Sequence, residues 1–275
     1  PFRLKLPAPL SPCHLSTDFF PREMFGALLR SPVAQASLAL GARPAWRGFA
    51  TGAGKRVAVV LAGCGVYDGA EITEATACLV HLSRARAEVR CFAPDKPQMH
   101  AVDHTMGTEH TETRNVLKES ARIARGAVVP LADLKAADFD AVVFPGGFGA
   151  AKNLSSWAVD GTRCSVDADV VRVIKDFHSS SKVLGMCCIA PTLAAKVLGK
   201  VTVTVGQEEG DAWPYAGTAG QISSLGATHV KTTISEICVD KENKLVTSPA
   251  YMYDGRPHEI FDNVGQMIGG VLELA

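Results

Sequence analysis

The sequence predicts a three-layer α/β sandwich, a mostly parallel sheet with helices on both faces, running from about Lys55 to Ala275. Two observations carry this reading. Short, wholly apolar runs alternate with helical stretches of amphipathic spacing, the pattern of parallel strands joined by crossover helices. Three of the loops in this stretch hold glycine, cysteine or proline, as loops at the carboxyl ends of such strands do when they bind ligands.

The elements follow in order. Arg56–Ala62 (RVAVVLA) is apolar throughout after its first residue, as expected of a strand buried on both faces. Gly63–Gly69 is a turn, a helix is expected from about Ala70 to Ser83, and Glu88–Ala93 reads as a second strand. A helix over 112–125 leads to a short strand near Val128, and Asp140–Phe144 is a strand running into Pro145–Gly149. In helix 166–178, Val166, Val170, Val173, Ile174 and Phe177 fall on one face. Lys182–Leu184 is a short strand, with a helix from about Pro191. Strands are then expected over Val201–Val205, Ile234–Val239 and Lys244–Thr247. The last helix begins near Pro257, with Asp254 as candidate cap.

Residues 1–54 have a different character. Of 28 basic and 28 acidic residues in the chain, this segment holds six and two, leaving 22 and 26 for the domain. Met24 to Gly54 contains three arginines, several Ala and Ser and no acid, the composition of a mitochondrial transit peptide. A basic amphipathic leader is drawn to an anionic import surface and an inside-negative potential. Residues 1–54 are therefore expected to be a largely disordered leader, with Met24 as the natural start. The balanced total charge points to neither nucleic acid nor an anionic membrane as partner. No apolar run approaches the roughly 18 residues of a membrane span. The eight cysteines are irregularly spaced, without a C-x-x-C pair, and read as reduced thiols.

Three loops carry the chemistry. In Lys182–Leu198 (KVLGMCCIAPTLAAKVL) a short strand enters a tight turn holding Cys187 and Cys188, and Pro191 opens a helix. This is the pattern of a nucleophile elbow, where unpaired N–H groups and the helix dipole favour thiolate over thiol. The same residues also suit a small apolar cysteine buried at a strand end. Pro145–Asn153 (PGGFGAAKN) places Gly146 and Gly147 after a buried strand, where backbone N–H groups can face a developing oxyanion, or where the chain simply turns. No phosphate-loop pattern is present there. Gly63–Gly69 (GCGVYDG) contains Cys64 and precedes Glu71 and Glu74, three apart on the first turn of a helix. At least one of these acids is expected to be a solvated dipole partner, and the other can exchange protons beside Cys188.

Taken together, GCGVYDG, PGGFGAAKNLS and CIAP resemble the mitochondrial glutamine-amidotransferase-like class 1 domain proteins and their bacterial relatives, the enhancing lycopene biosynthesis glyoxalases. Both fall within the superfamily of the Parkinson-linked deglycase and the PfpI-type proteases. The resemblance spans about Arg56 to Leu274. It implies a flavodoxin-like fold of the class I glutamine-amidotransferase kind, Cys188 as nucleophile, Glu74 as the buried acid beside it, and Gly146 and Gly147 as the oxyanion loop. Cys64 and Cys187 stand as accessory thiols. It further implies mitochondrial residence, a small aldehyde substrate, no cofactor and a homodimer.

The chain departs from the glutaminase pattern. The late-strand histidine position falls in Val246–Ala250 and the histidine after the elbow near Val203–Gln207; neither segment has one. His100, His104, His110, His229 and His258 lie elsewhere. His100 and His104 have a spacing that suits a metal but lack acid or thiol partners in sequence, so no metal site is expected. The expectation is a cysteine-dependent glyoxalase- or deglycase-like enzyme converting glyoxal or methylglyoxal to a 2-hydroxy acid. The alternative is a redox-sensing or chaperone-type thiol of the same fold, and glutaminase activity is not expected.

Overall fold

A computed structural model describes residues 52–275, all within one compact unit. The leader expected over residues 1–54 lies outside the described residues as far as residue 51. Five strands build the parallel centre: β1 (Arg56–Val60), β2 (Glu88–Ala93), β5 (Val128–Pro130), β6 (Ala141–Phe144) and β7 (Val183–Cys187). On the far side of β7 stand β11 (Leu245–Ser248), parallel, and β10 (Cys238–Asp240), the one antiparallel strand of this sheet. The spatial order is β10-β11-β7-β6-β1-β2-β5. The chain lays down β1, β2 and β5 outward in one direction, then returns to the other side of β1 for β6 and β7. The order therefore reverses at β1, and a crevice opens beyond the carboxyl ends of β1 and β6.

Helices cover both faces. α1 (Ile72–Arg84) packs beside α8 (Pro257–Leu274), with His81 Nε2 3.1 Å from Phe261 O. α5 (Ala168–Ser179) and α6 (Pro191–Leu198) pack together, with α5 against β7; α2 (Val116–Ile123) packs against β2 and β5. Gly185 is what lets α8 approach β7: a Cβ there would stand 2.7 Å from Val271 Cγ2. Val57–Val60, Ala141–Phe144 and Val183–Cys187 are all buried, as their unbroken apolar sequence requires.

Several expected elements are shorter than their sequence suggests. The 112–125 helix begins at Val116 because the Asn115 side chain accepts from Lys118 N–H (3.0 Å) and caps it. Val201–Val205 reduces to β8 (Thr202–Val203), paired with β9 (Thr228–His229) in a separate ribbon. There Thr204 N–H donates to the Thr247 hydroxyl (2.9 Å) instead of a neighbouring backbone carbonyl, and Gly206 turns the chain with φ 101°. Ile234–Val239 yields only β10. Asp254 does not cap α8; the N-cap is Arg256, whose N–H donates to Glu259 Oε2 (2.8 Å). A hairpin of β3 (Ala101–Asp103) and β4 (Thr108–His110), the short α3 (Phe148–Lys152) and α4 (Trp157–Asp160), and α7 (Thr218–Ser224) have no counterpart in the sequence reading.

Candidate active site

The loops after β1, β6 and β7 meet in the crevice at the reversal point. Cys188 follows the last residue of β7 and takes φ 59°, the left-handed conformation that an L-residue adopts at a cost. Its N–H donates to Ser248 O at the end of β11 (3.0 Å), which ties the elbow to the neighbouring strand. The thiol is almost fully covered and faces the N–H groups of Gly147 and Ile189.

The two first-turn acids of α1 divide their tasks. Glu71 is the N-cap: its Oε2 accepts from Glu74 N–H at 2.7 Å. Glu74 points inward and has no solvent exposure. Its Oε1 accepts from Tyr251 N–H (3.1 Å) and its Oε2 from Gly146 N–H (3.0 Å). Cys187 Sγ lies 3.8 Å from the same Oε2, and the Cys188 thiol neighbours the carboxyl group across the space that a Cβ at position 146 would fill. Both neighbouring cysteines thus face one buried acid, Cys187 from the strand and Cys188 from the elbow. Cys187 also touches the Cys78 thiol on α1.

Gly146 is glycine for a steric reason. A Cβ there would lie 2.3 Å from Cys188 Cβ and 2.6 Å from Glu74 Oε2. At Gly147, φ is 92° and a Cβ would stand 2.3 Å from Glu71 N. The two glycines differ in what they donate. Gly146 N–H is engaged by the Glu74 carboxyl group, whereas Gly147 N–H points to the sulfur. Of the expected Gly146–Gly147 pair, Gly147 therefore faces the sulfur, together with Ile189 N–H, while Gly146 N–H is held by Glu74. Backbone donors such as Ile189 and Tyr251 leave no mark on residue type, so no sequence signal pointed to them.

Burial sets the proton inventory. It pushes the Glu74 carboxyl up to about 8, with the Glu71 carboxylate adding to the shift and the Tyr251 and Gly146 N–H groups opposing it. Burial also raises the Cys188 thiol well above its ordinary value, and an ionised Glu74 raises it further; the Gly147 and Ile189 N–H groups pull the other way. The sequence led us to expect a lowered thiol. The helix terminus is outweighed because the sulfur is desolvated beside a carboxyl group. At neutral pH Glu74 is mostly protonated, which removes the repulsive charge next to the sulfur.

A cavity of about 640 Å³ opens in front of Cys188. Glu71, Gly147 and Ile189 border it near the thiol, and Tyr67, Phe148, Trp157, Tyr215, Tyr251 and Tyr253 form its walls. Cys64 does not line it. Burial, seconded by Glu119, raises the Cys64 thiol. Among the described residues no histidine lines the cavity. His104 accepts from Tyr67 N–H through Nε2 (3.2 Å), His229 accepts from Val205 N–H through Nε2 (3.2 Å), and His100 pairs with Glu109 (3.2 Å).

A thiol on a strained elbow, over a buried glutamate and at the reversal point of a parallel sheet, defines a flavodoxin-like protein of the class I glutamine-amidotransferase kind. The chain belongs to the DJ-1/PfpI family, whose pattern matches residues 55–253. It is 61% identical over 222 residues to the Homo sapiens "Glutamine amidotransferase-like class 1 domain-containing protein 3, mitochondrial", covering 80% of this chain and 83% of that one. It is 60% identical over 222 residues to the Rattus norvegicus "ES1 protein homolog, mitochondrial", covering 80% and 84%. Among solved structures it is similar to an isoprenoid biosynthesis protein with amidotransferase-like domain from Ehrlichia chaffeensis. That match has a TM-score of 0.73 and 33% identity, and covers 80% of this chain and 99% of that one. The protein is mitochondrial, as the names of these close relatives state.

Proposed function

We propose that the protein is a cysteine-dependent glyoxalase- or deglycase-like enzyme that converts a 2-oxoaldehyde such as glyoxal or methylglyoxal to a 2-hydroxy acid. The observation that carries the reading is the buried Glu74 carboxyl group beside the thiol of Cys188, which lines an open cavity. The ionised fraction of Glu74 takes the thiol proton as Sγ attacks the aldehyde carbon. The carbonyl oxygen becomes an oxyanion facing Gly147 and Ile189 N–H, and then takes the proton back from Glu74 to give a hemithioacetal. Glu74 next removes the hydrogen of the former aldehyde carbon as a proton and returns it to the adjacent carbon, while the hydroxyl proton of the hemithioacetal passes to the adjacent carbonyl oxygen. The first carbon is oxidised to a thioester and the second reduced to an alcohol, with no external electron acceptor. Water cleaves the thioester, releasing the 2-hydroxy acid and the free thiol.

A second reading, a redox-sensing or chaperone-type thiol without turnover, draws on the lack of a histidine along the cavity among the described residues. Peroxide attacks the thiolate, and burial that holds the sulfur protonated weighs against that reading. The deciding experiment is glycolate formation from glyoxal, and lactate from methylglyoxal, by the wild type and Cys188→Ala. Wild-type turnover absent from the variant supports the enzyme. A wild type that forms no hydroxy acid from any 2-oxoaldehyde refutes it.

A further inference from the structure

The cavity is far larger than the substrates just named. Glyoxal and methylglyoxal have a few heavy atoms, whereas pockets of roughly 300–1,000 Å³ hold drug-sized molecules. This one has about 640 Å³. Six of its lining residues are aromatic, drawn from four separate stretches of chain: Tyr67; Phe148 and Trp157; Tyr215; Tyr251 and Tyr253. Phe148 and Tyr215 meet edge to face with centroids 6.1 Å apart. The apolar character continues outward, since Tyr67, Val159 and Tyr215 remain 41%, 67% and 42% exposed on the lining.

Charge narrows the ligand further. Among the described residues the lining contains two acids, Glu71 and Asp254, and no lysine, arginine or histidine. Lys152 lies behind the wall, its Nζ donating to Tyr67 O (2.9 Å) and standing 5.7 Å from the Phe148 ring centroid. An anionic substituent would therefore meet two carboxylates and no partner, and would forfeit its hydration against aromatic walls. A flat neutral group would exchange water for ring contacts.

We propose that the carbonyl substrate carries a neutral aryl or bulky apolar group, so that the preferred class is the aryl-substituted 2-oxoaldehydes. The aldehyde carbon meets Cys188 and the ring lies among Phe148, Trp157 and Tyr215. The inference rests on the reading that Cys188 attacks a 2-oxoaldehyde. The reaction balances as before: phenylglyoxal and one water give mandelate.

The test compares kcat/KM for phenylglyoxal, methylglyoxal and 4-carboxyphenylglyoxal, with the hydroxy acid measured by chromatography. Phenylglyoxal is expected to exceed methylglyoxal by tenfold or more, chiefly through KM. The carboxylated substrate should lose most of that gain, and Tyr215→Ala should lower the phenylglyoxal-to-methylglyoxal ratio at least threefold. In parallel, binding of unreactive acetophenone to Cys188→Ala is followed by calorimetry and by tryptophan quenching. Equal or better use of methylglyoxal, together with no acetophenone binding, overturns the substrate class and leaves the enzyme reading intact. Acetophenone binding without hydroxy acid from any 2-oxoaldehyde sinks the enzyme reading, and with it the substrate class, while assigning the cavity to aryl ligands.

Discussion

Two regions meet at the Cys188 sulfur, and they are built on opposite terms. Behind it lies a dry, tightly packed recess of Glu74, Gly146, Cys187 and the Tyr251 amide, where every oxygen of the acid is engaged and one added methyl group has no room. In front lies a roomy cavity walled by rings that stand partly in solvent. The recess fixes where protons go, and the cavity decides what can reach the sulfur. Damage to the recess should therefore abolish chemistry, whereas changes in front should redistribute substrates.

The largest effect is expected from Glu74→Gln, which keeps shape and removes the exchangeable proton. General acid–base help is worth roughly 10²–10⁴-fold, and turnover should fall by that factor while iodoacetamide still labels Cys188. The same variant tests the pH dependence. In the wild type, turnover should rise with pH as Glu74 ionises through about 8. Stability should move the other way. The folded acid holds its proton to higher pH than the unfolded one, so its contribution is full below 4.5 and is lost as pH rises through about 8. The slope is up to about 1.4 kcal/mol per pH unit. Denaturant titrations at several pH values should show that slope in the wild type and not in Glu74→Gln; equal slopes would mean that Glu74 ionises freely in the folded protein.

Next comes Gly146→Ala. Its methyl group collides with Cys188 and Glu74 together, and overpacking of this kind costs about 1–3 kcal/mol. A lower Tm with activity lost beyond what unfolding explains is the expected pair of results. Unchanged turnover would show that the recess is looser than drawn. Cys187→Ala should do less. A thiol is a weak donor, and the Gly146 and Tyr251 amides still hold the carboxyl group, so turnover should drop by less than about tenfold with roughly 1 kcal/mol lost to the vacated space. Smallest of all is Cys64→Ser, outside both regions, for which turnover within about twofold of wild type is expected. A larger loss would make Cys64 part of the machinery.

The same contrast explains what could be read from the sequence. The buried strands were legible because an unbroken apolar run such as Val57–Val60 has few other places to go. Gly146, Gly147 and Cys188 stood out because tight turns demand unusual residues. Choosing between Glu71 and Glu74 needed the structure, since both lie on one helical turn and only the cap contact, Glu71 Oε2 to Glu74 N–H, separates them. The aromatic wall was invisible because residues from loops far apart in sequence build it, each unremarkable alone. The 101–110 hairpin was missed for want of length: three residues per strand are too few for an alternating pattern.

The backbone at Cys188 has a practical consequence for any thiol-free control. With φ at 59°, alanine inherits the strain of the left-handed region while losing the sulfur's contacts, whereas glycine is at ease there. Cys188→Gly should consequently be no less stable than Cys188→Ala, despite its smaller side chain. Selection for heat resistance alone would then drift toward glycine at this position, exchanging a reactive protein for a durable and inert one.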